Sequence, residues 1–186
     1  MKNPQKIHTP ITAQICEGLS VGDRVLLSGS IITGRDTAHK RLAQLITEEK
    51  ALPVKLDGET IFYAAPTPPP PGRVIGSIGP TTSYRMDEYA PILMEAGIRG
   101  MIGKGSRSDA VRDAIVRYKA VYFGAMGGIA ALMSACVKKA EVIAYEDLGP
   151  EAIMRLEIED FPLIVIDDTT GRDLYEDATG CHGMAP

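Results

Sequence analysis

The sequence predicts an α/β fold, a mainly parallel sheet flanked by helices. Strand-like and helix-like segments alternate through residues 72–168, the pattern of a sheet with helical crossovers. Glycine-bearing turns mark the strand-to-helix junctions at 79–85 and 103–106, and sites in such sheets lie at the carboxyl ends of strands. The chain has 186 residues, 45% hydrophobic and 24% charged, an ordinary composition for one domain with a core of its own.

Composition also excludes several classes. A net charge of -4 argues against a general nucleic-acid binder or an anionic-membrane binder. Tryptophan is absent and aromatics are few, so base-stacking platforms are a poor expectation. Cys16, Cys136 and Cys181 form no CxxC pair and no zinc-ligand spacing. An odd cysteine count without a framework fits a reducing compartment, hence a cytoplasmic location. The first ten residues have no apolar core of the signal-peptide type. The longest uncharged run, 120–137, holds Gly124, Gly127, Gly128 and Ser134. It reads as a strand and a closely packed helix better than as a membrane span.

In chain order, residues 1–10 are polar and loosely held, with Ile7, Pro10 and Ile11 as anchors. Residues 12–18 read as a short helix capped by Thr12 and ended by Gly18. Residues 24–32 are rich in branched apolar side chains and read as a strand interrupted by Gly29. A turn over 33–36 follows. Asp36 or Thr37 is placed to cap a helix running to about Lys50, with Ala38, Leu42, Leu45 and Ile46 on one face. His39 falls in its first turn and reads equally as a structural or a functional histidine. Arg35 sits at a strand-to-helix junction. It reads either as a surface ion pair with Asp36 or Asp23, or as a site residue.

Residues 61–65 are a strand candidate. They lead into a run of four prolines that favours an extended, stiff connector. Residues 74–86, VIGSIGPTTSYRM, are the focus of the functional reading. The stretch begins like a short strand, breaks at Gly79-Pro80, and ends in Thr81, Thr82, Ser83 and Arg85 before a helix expected over 87–96. Such a junction offers backbone N–H groups and hydroxyls. Arg85 adds a planar, permanently charged fork for a carboxylate or phosphate.

A strand over 99–102 ends in Gly103-Lys104-Gly105-Ser106. That order is not a phosphate loop, but a lysine beside free N–H groups is a fair anion site. Ser106 or Ser108 is placed to cap the next helix, whose apolar face carries Ala110, Val111, Ala114, Ile115 and Tyr118. Then come a strand over 120–123, an apolar helix from 124 to about 139, a strand over 141–145, a helical turn or two over 151–156, and a strand over 163–166 that continues into Asp167-Asp168. The tetrapeptide 170–173 repeats 33–36, TGRD, without any longer repeat around it. The chain reads as one domain over 1–186 with a flexible tail from about 177, where Cys181 and His182 make poor metal ligands.

Three ordered motifs give the chain a family resemblance. The stretch from Ser28 to His39 resembles the SGxxxxxRDxAH signature of the class I fumarase and L-tartrate dehydratase family of iron–sulfur hydro-lyases. Residues 79–86 are similar to its GPTTxxRM signature, and 102–105 to its IGKG motif. Gly34 stands where an alanine is frequent in that family. The resemblance covers the β subunit, or the C-terminal domain of single-chain members. It implies a swivelling β/β/α domain, with a [4Fe-4S] cluster carried by a partner α subunit and none bound by this chain alone. It also implies a dicarboxylate substrate, malate/fumarate or tartrate. Residue by residue, it makes Thr81 the catalytic base and assigns substrate binding to Arg35, Thr82, Arg85 and Lys104, with His39 and Asp36 within the first motif but without an assigned step. A homodimer of the chain is a further expectation. A catalytically silent anion-binding module of the same fold is the alternative from a different class.

Overall fold

Branched and aromatic runs along the chain assemble into a mixed seven-stranded sheet ordered β1-β2-β3-β4-β5-β7-β6. The computed structural model describes residues 3–125 and 130–180. The strands are β1 (Gln5–His8), β2 (Arg24–Thr33), β3 (Thr60–Phe62), β4 (Gly100–Gly103), β5 (Val121–Gly124), β6 (Val137–Ala144) and β7 (Ile153–Asp167). The helices are α1 (Ala13–Glu17), α2 (Asp36–Thr47), α3 (Ala90–Glu95), α4 (Asp109–Tyr118), α5 (Ala130–Ala135) and α6 (Leu174–Gly180). Two 3-10 segments, Ser83–Met86 and Glu146–Glu151, lie between them.

Strands β1 to β5 pair in parallel with their sequence neighbours. The sheet is nevertheless mixed, because β7 runs antiparallel to β2, β5 and β6. Its pairing with both β2 and β5 closes β2-β3-β4-β5-β7 into a barrel. Closure pairs the five barrel strands on both sides and leaves β1 and β6 as the edge strands. Side chains alternate across the barrel wall with period two. Phe62, Ile102, Phe123 and Val165 pack in one apolar cluster, and Ile61, Met101, Tyr122 and Ile166 in a second with residues of α2, α3 and α4. Phe62 and Phe161 meet edge to face with centroids 5.5 Å apart, an arrangement worth about 0.5–1.5 kcal/mol beyond the area it buries.

Several expectations are corrected. Residues 74–79 form no strand, because β3 already has β2 and β4 as neighbours. The stretch is a loop that anchors two side chains instead. Ile75 and Ile78 enter the core, and Ser77 exchanges hydrogen bonds with Thr67 of the proline connector. Helix α5 ends at Ala135, and residues expected to continue it begin β6, whose Lys138, Lys139 and Glu141 are exposed on the sheet edge. Residues 126–129 of that expected helix lie outside the described residues.

The helical turn expected over 151–156 is the start of β7. Gly149, at φ 56°, kinks the preceding 3-10 segment just before Pro150, and Leu156 and Ile158 then alternate into the core. Helix α6 runs to Gly180, tied by Arg112 to Glu176 and by Arg172 to Asp177 at 2.5 Å. Residues 181–186, with Cys181 and His182, lie outside the described residues. Neither Asp36 nor Ser108 caps its helix through its own side chain. No helix among the described residues is long and apolar enough to cross a membrane.

Candidate active site

Strands β2, β3 and β4 run parallel, so their carboxyl ends share one rim of the barrel. Backbone bonds lace the exits together: Gly34 donates to the Phe62 carbonyl at 3.0 Å and Tyr63 to the Ile102 carbonyl at 2.9 Å. Thr81 is then held by one acceptor. Its N–H and its Oγ1 both donate to the Tyr63 carbonyl, each at 2.7 Å. Thr82 forms an isolated parallel bridge with Lys104. Lys104 N–H donates to the Thr81 carbonyl at 3.3 Å, and Ser83 N–H to the Lys104 carbonyl at 3.0 Å. The threonine turn therefore lies alongside the end of β4. Gly103 permits that approach, since a Cβ there would stand 2.0 Å from Ser83 Oγ.

Arg35 and Asp36 open α2 on the same rim. Asp36 is the first helical residue, with Arg35 in the cap position. Its Oδ1 lies 2.9 Å from Arg85 Nε, and its Oδ2 lies 3.8 Å from Arg35 Nη2. A carboxylate at a helix N-terminus is favoured by the helix dipole, and here it joins two guanidinium groups. Arg35 Nη1 also meets Glu151 Oε1 at 3.0 Å. The Arg35 and Arg85 side chains remain 21% and 45% exposed, so both forks are reachable from solvent. Lys104 is exposed, with no carboxylate partner among the described residues. The structure thus brings Arg35, Asp36 and Arg85 together, and Thr81, Thr82 and Lys104 together. The turn of residues 81–85 links the two groups.

His39 points the other way, into the protein. Its ring has no exposed surface. Nδ1 lies 2.9 Å from the Arg35 carbonyl, and the ring packs edge-on to Tyr63 at 5.2 Å. Burial lowers its pKa to about 4 despite that carbonyl, so the imidazole is neutral. It supports the main chain at Arg35 from behind.

Four features were not singled out from the sequence. Glu151, which reaches Arg35, lies more than a hundred residues away along the chain. Arg107 is fully buried against Asp87, Tyr63 and Tyr122. Tyr122 connects Ser83 to the Gly105 carbonyl, each bond 2.8 Å. Asp167 is 1% exposed, and neither carboxyl oxygen has a hydrogen-bond partner among the described residues. Burial and the neighbouring Asp173 push it up to about 7. Only Arg107 had a local signal, its place just after the glycine-flanked turn; the others had none.

The fold and the site define an α/β barrel domain that presents arginine forks, a lysine and threonine hydroxyls at its strand ends. The chain belongs to the fumarase C-terminus family, whose model matches residues 3–178. It is 41% identical over 168 residues to the anaerobic class I fumarate hydratase of Escherichia coli (strain K12), covering 89% of this chain and 30% of that protein. It is 39% identical over 158 residues to the aerobic class I enzyme of Salmonella typhimurium, covering 84% of this chain and 27% of that protein. A Methanocaldococcus jannaschii protein bearing the name of an L(+)-tartrate dehydratase beta subunit is 35% identical over 173 residues, covering 90% of this chain and 89% of that protein. The chain therefore spans under a third of these two fumarate hydratases and most of the beta subunit.

The described residues do not fit an iron–sulfur cluster. No group of three or more His, Cys, Asp or Glu side chains among them is placed to hold a metal. Cluster ligation needs thiolates. Burial instead pushes the Cys16 thiol up to about 12, and it also raises Cys136.

Proposed function

We propose that this chain is the β subunit of a [4Fe-4S]-dependent hydro-lyase, a fumarate hydratase interconverting (S)-malate and fumarate. In this reading the cluster belongs to a partner α subunit, and the active site forms where the two subunits meet. The same reading carries a cytoplasmic location and a β/β/α domain that swivels against the cluster-bearing part. The observation that supports it best is the Asp36 carboxylate between Arg35 and Arg85. A group that binds one internal carboxylate through two guanidinium forks is suited to receive carboxylates from outside.

The residues of this chain divide the work as follows. Arg35 and Arg85 hold the substrate carboxylates, with planar forks that match them in shape and charge. Thr82 and Lys104 complete the binding edge. Removing the proton on the carbon beside a carboxylate places negative charge on that carboxylate, and the fixed cations stabilise it. Thr81 takes the proton. A hydroxyl does this only as an alkoxide, and Arg85 and Lys104 lower the cost of that charge. In the structure the hydroxyl still donates to the Tyr63 carbonyl, so its own proton leaves to water, and that bond breaks, before Thr81 acts as the base. Loss of hydroxide from the adjacent carbon completes the elimination.

Dehydration of L(+)-tartrate is the second reading. It is favoured by one observation, the near full-length match to the named beta subunit. The test is anaerobic co-expression with the cluster-bearing subunit, followed by assays on malate and tartrate. Arg85→Ala should lower kcat/KM by about 10²–10³-fold with assembly intact. Unchanged kinetics would remove Arg85 from the site, and full activity of the chain alone would overturn the shared-site reading.

A further inference from the structure

Arg107 has no part in the chemistry above, yet its side chain has no exposed surface. A buried guanidinium is costly unless its surroundings compensate it. Here they do. Nε donates to Asp87 Oδ1 at 2.7 Å, and Nη1 donates to the Tyr63 hydroxyl at 3.2 Å. The guanidinium also lies over the rings of Tyr63 and Tyr122, 5.2 and 5.0 Å from their centroids.

Each partner of Arg107 governs one part of the candidate site. Asp87 follows Arg85 by two residues, and its other oxygen accepts the Ser108 N–H at 2.7 Å. Tyr63 supplies the carbonyl that holds Thr81. The Tyr122 hydroxyl donates to the Gly105 carbonyl and so accepts from Ser83 Oγ. The threonine turn and the Lys104 loop are therefore both tied to one buried cation. Arg35 is connected to it only indirectly, through Asp36, which pairs with both Arg35 and Arg85.

We propose that Arg107 is a positioning residue that sets the Thr81–Arg85 turn against the Lys104 loop through Asp87, Tyr63 and Tyr122. The proposal rests on the hydro-lyase reading for its kinetic consequence, but its structural claim stands on this chain alone. Lysine would not substitute. One ammonium cannot donate to Asp87 and Tyr63 in two fixed directions while lying flat between two rings.

Two measurements test it. Hydrogen exchange by mass spectrometry on the full chain should show Arg107→Lys raising exchange at least about tenfold in residues 81–87 and 104–108, with β2 and β7 unchanged. Tyr122→Phe, which removes only a hydroxyl, should raise it in the same two segments by a smaller factor. Wild-type exchange in both variants would overturn the proposal. An equal rise across β2 and β7 would overturn it too, by making Arg107 an ordinary core residue. In the assembled enzyme, Arg107→Lys should lower kcat by about 10–100-fold, the usual consequence of a displacement near 1 Å. KM should rise as well, because Thr82, Arg85 and Lys104 lie in the two displaced segments. Wild-type kcat and KM together would also overturn it. An inactive wild-type complex would instead refute the hydro-lyase reading and leave the exchange experiment decisive.

Discussion

Replacing Asp167 by asparagine removes a carboxyl buried without a hydrogen-bond partner among the described residues. Burial, then Asp173, and Asp168 to a smaller extent, raise its pKa from 3.8 to about 7 against the pull of Arg107 and Arg112. The folded chain therefore keeps a proton over a range in which the unfolded chain has released it. The stability this contributes is complete below pH 3.8 and is lost as pH rises through about 7. At about 1.4 kcal/mol per pH unit, the loss between about pH 5 and about pH 7 comes to roughly 2–3 kcal/mol.

Asparagine does not titrate, so wild-type stability measured against Asp167→Asn should fall by that amount across the interval. Urea denaturation at a series of pH values gives both curves. His39 acts in the opposite sense. Its pKa is lowered from 6.5 to about 4, so its contribution is whole above pH 6.5 and is lost as pH falls toward 4. It is present in both proteins and cancels in the difference between them. A difference flat to within about 0.5 kcal/mol from about pH 5 to about pH 8 would refute the reasoning.

Two further substitutions test the site's geometry. Gly103→Ala places a methyl 2.0 Å from Ser83 Oγ and 2.8 Å from Tyr63 Cδ2. It should cost about 1–3 kcal/mol in chemical denaturation and also lower activity, because the displaced residue adjoins Thr82. Equal stability would mean that Ser83 can move away freely. Glu151→Gln leaves Arg35 without the carboxylate now 3.0 Å away. Dicarboxylate KM should fall by about two- to fivefold, a modest gain suited to a partly exposed pair, and an unchanged KM would show that Glu151 does not compete with substrate.

Local patterns made much of this protein legible. Thr12 caps α1 through a side-chain bond to Ile15 N–H, and Gly18 ends it, as their types predict. The segments at Arg35, Thr81 and Lys104 were visible as turns, and the structure brings them to one rim, although no strand precedes Thr81. The failures share a cause. Residues 137–139 and 153–156 carry patterns that suit either helix or strand over a few residues; β7 as a neighbour made the first a strand, and β2 and β6 the second. Residues 74–79 looked like a strand and had no free neighbour to pair with. Asp36 looked like a cap and became the link between two arginines, a role visible only once Arg85 is in place.

The sequence by itself determined the α/β class, the family motifs and the boundaries of the short capped helix α1, because these depend on side chains a few positions apart. Tertiary structure alone decided the antiparallel course of β7 and the closure of the barrel. It also decided the Glu151 contact to Arg35 and the burial of Arg107, His39 and Asp167. Such features depend on what packs against a residue from distant parts of the chain, and burial is what keeps His39 neutral and raises Asp167.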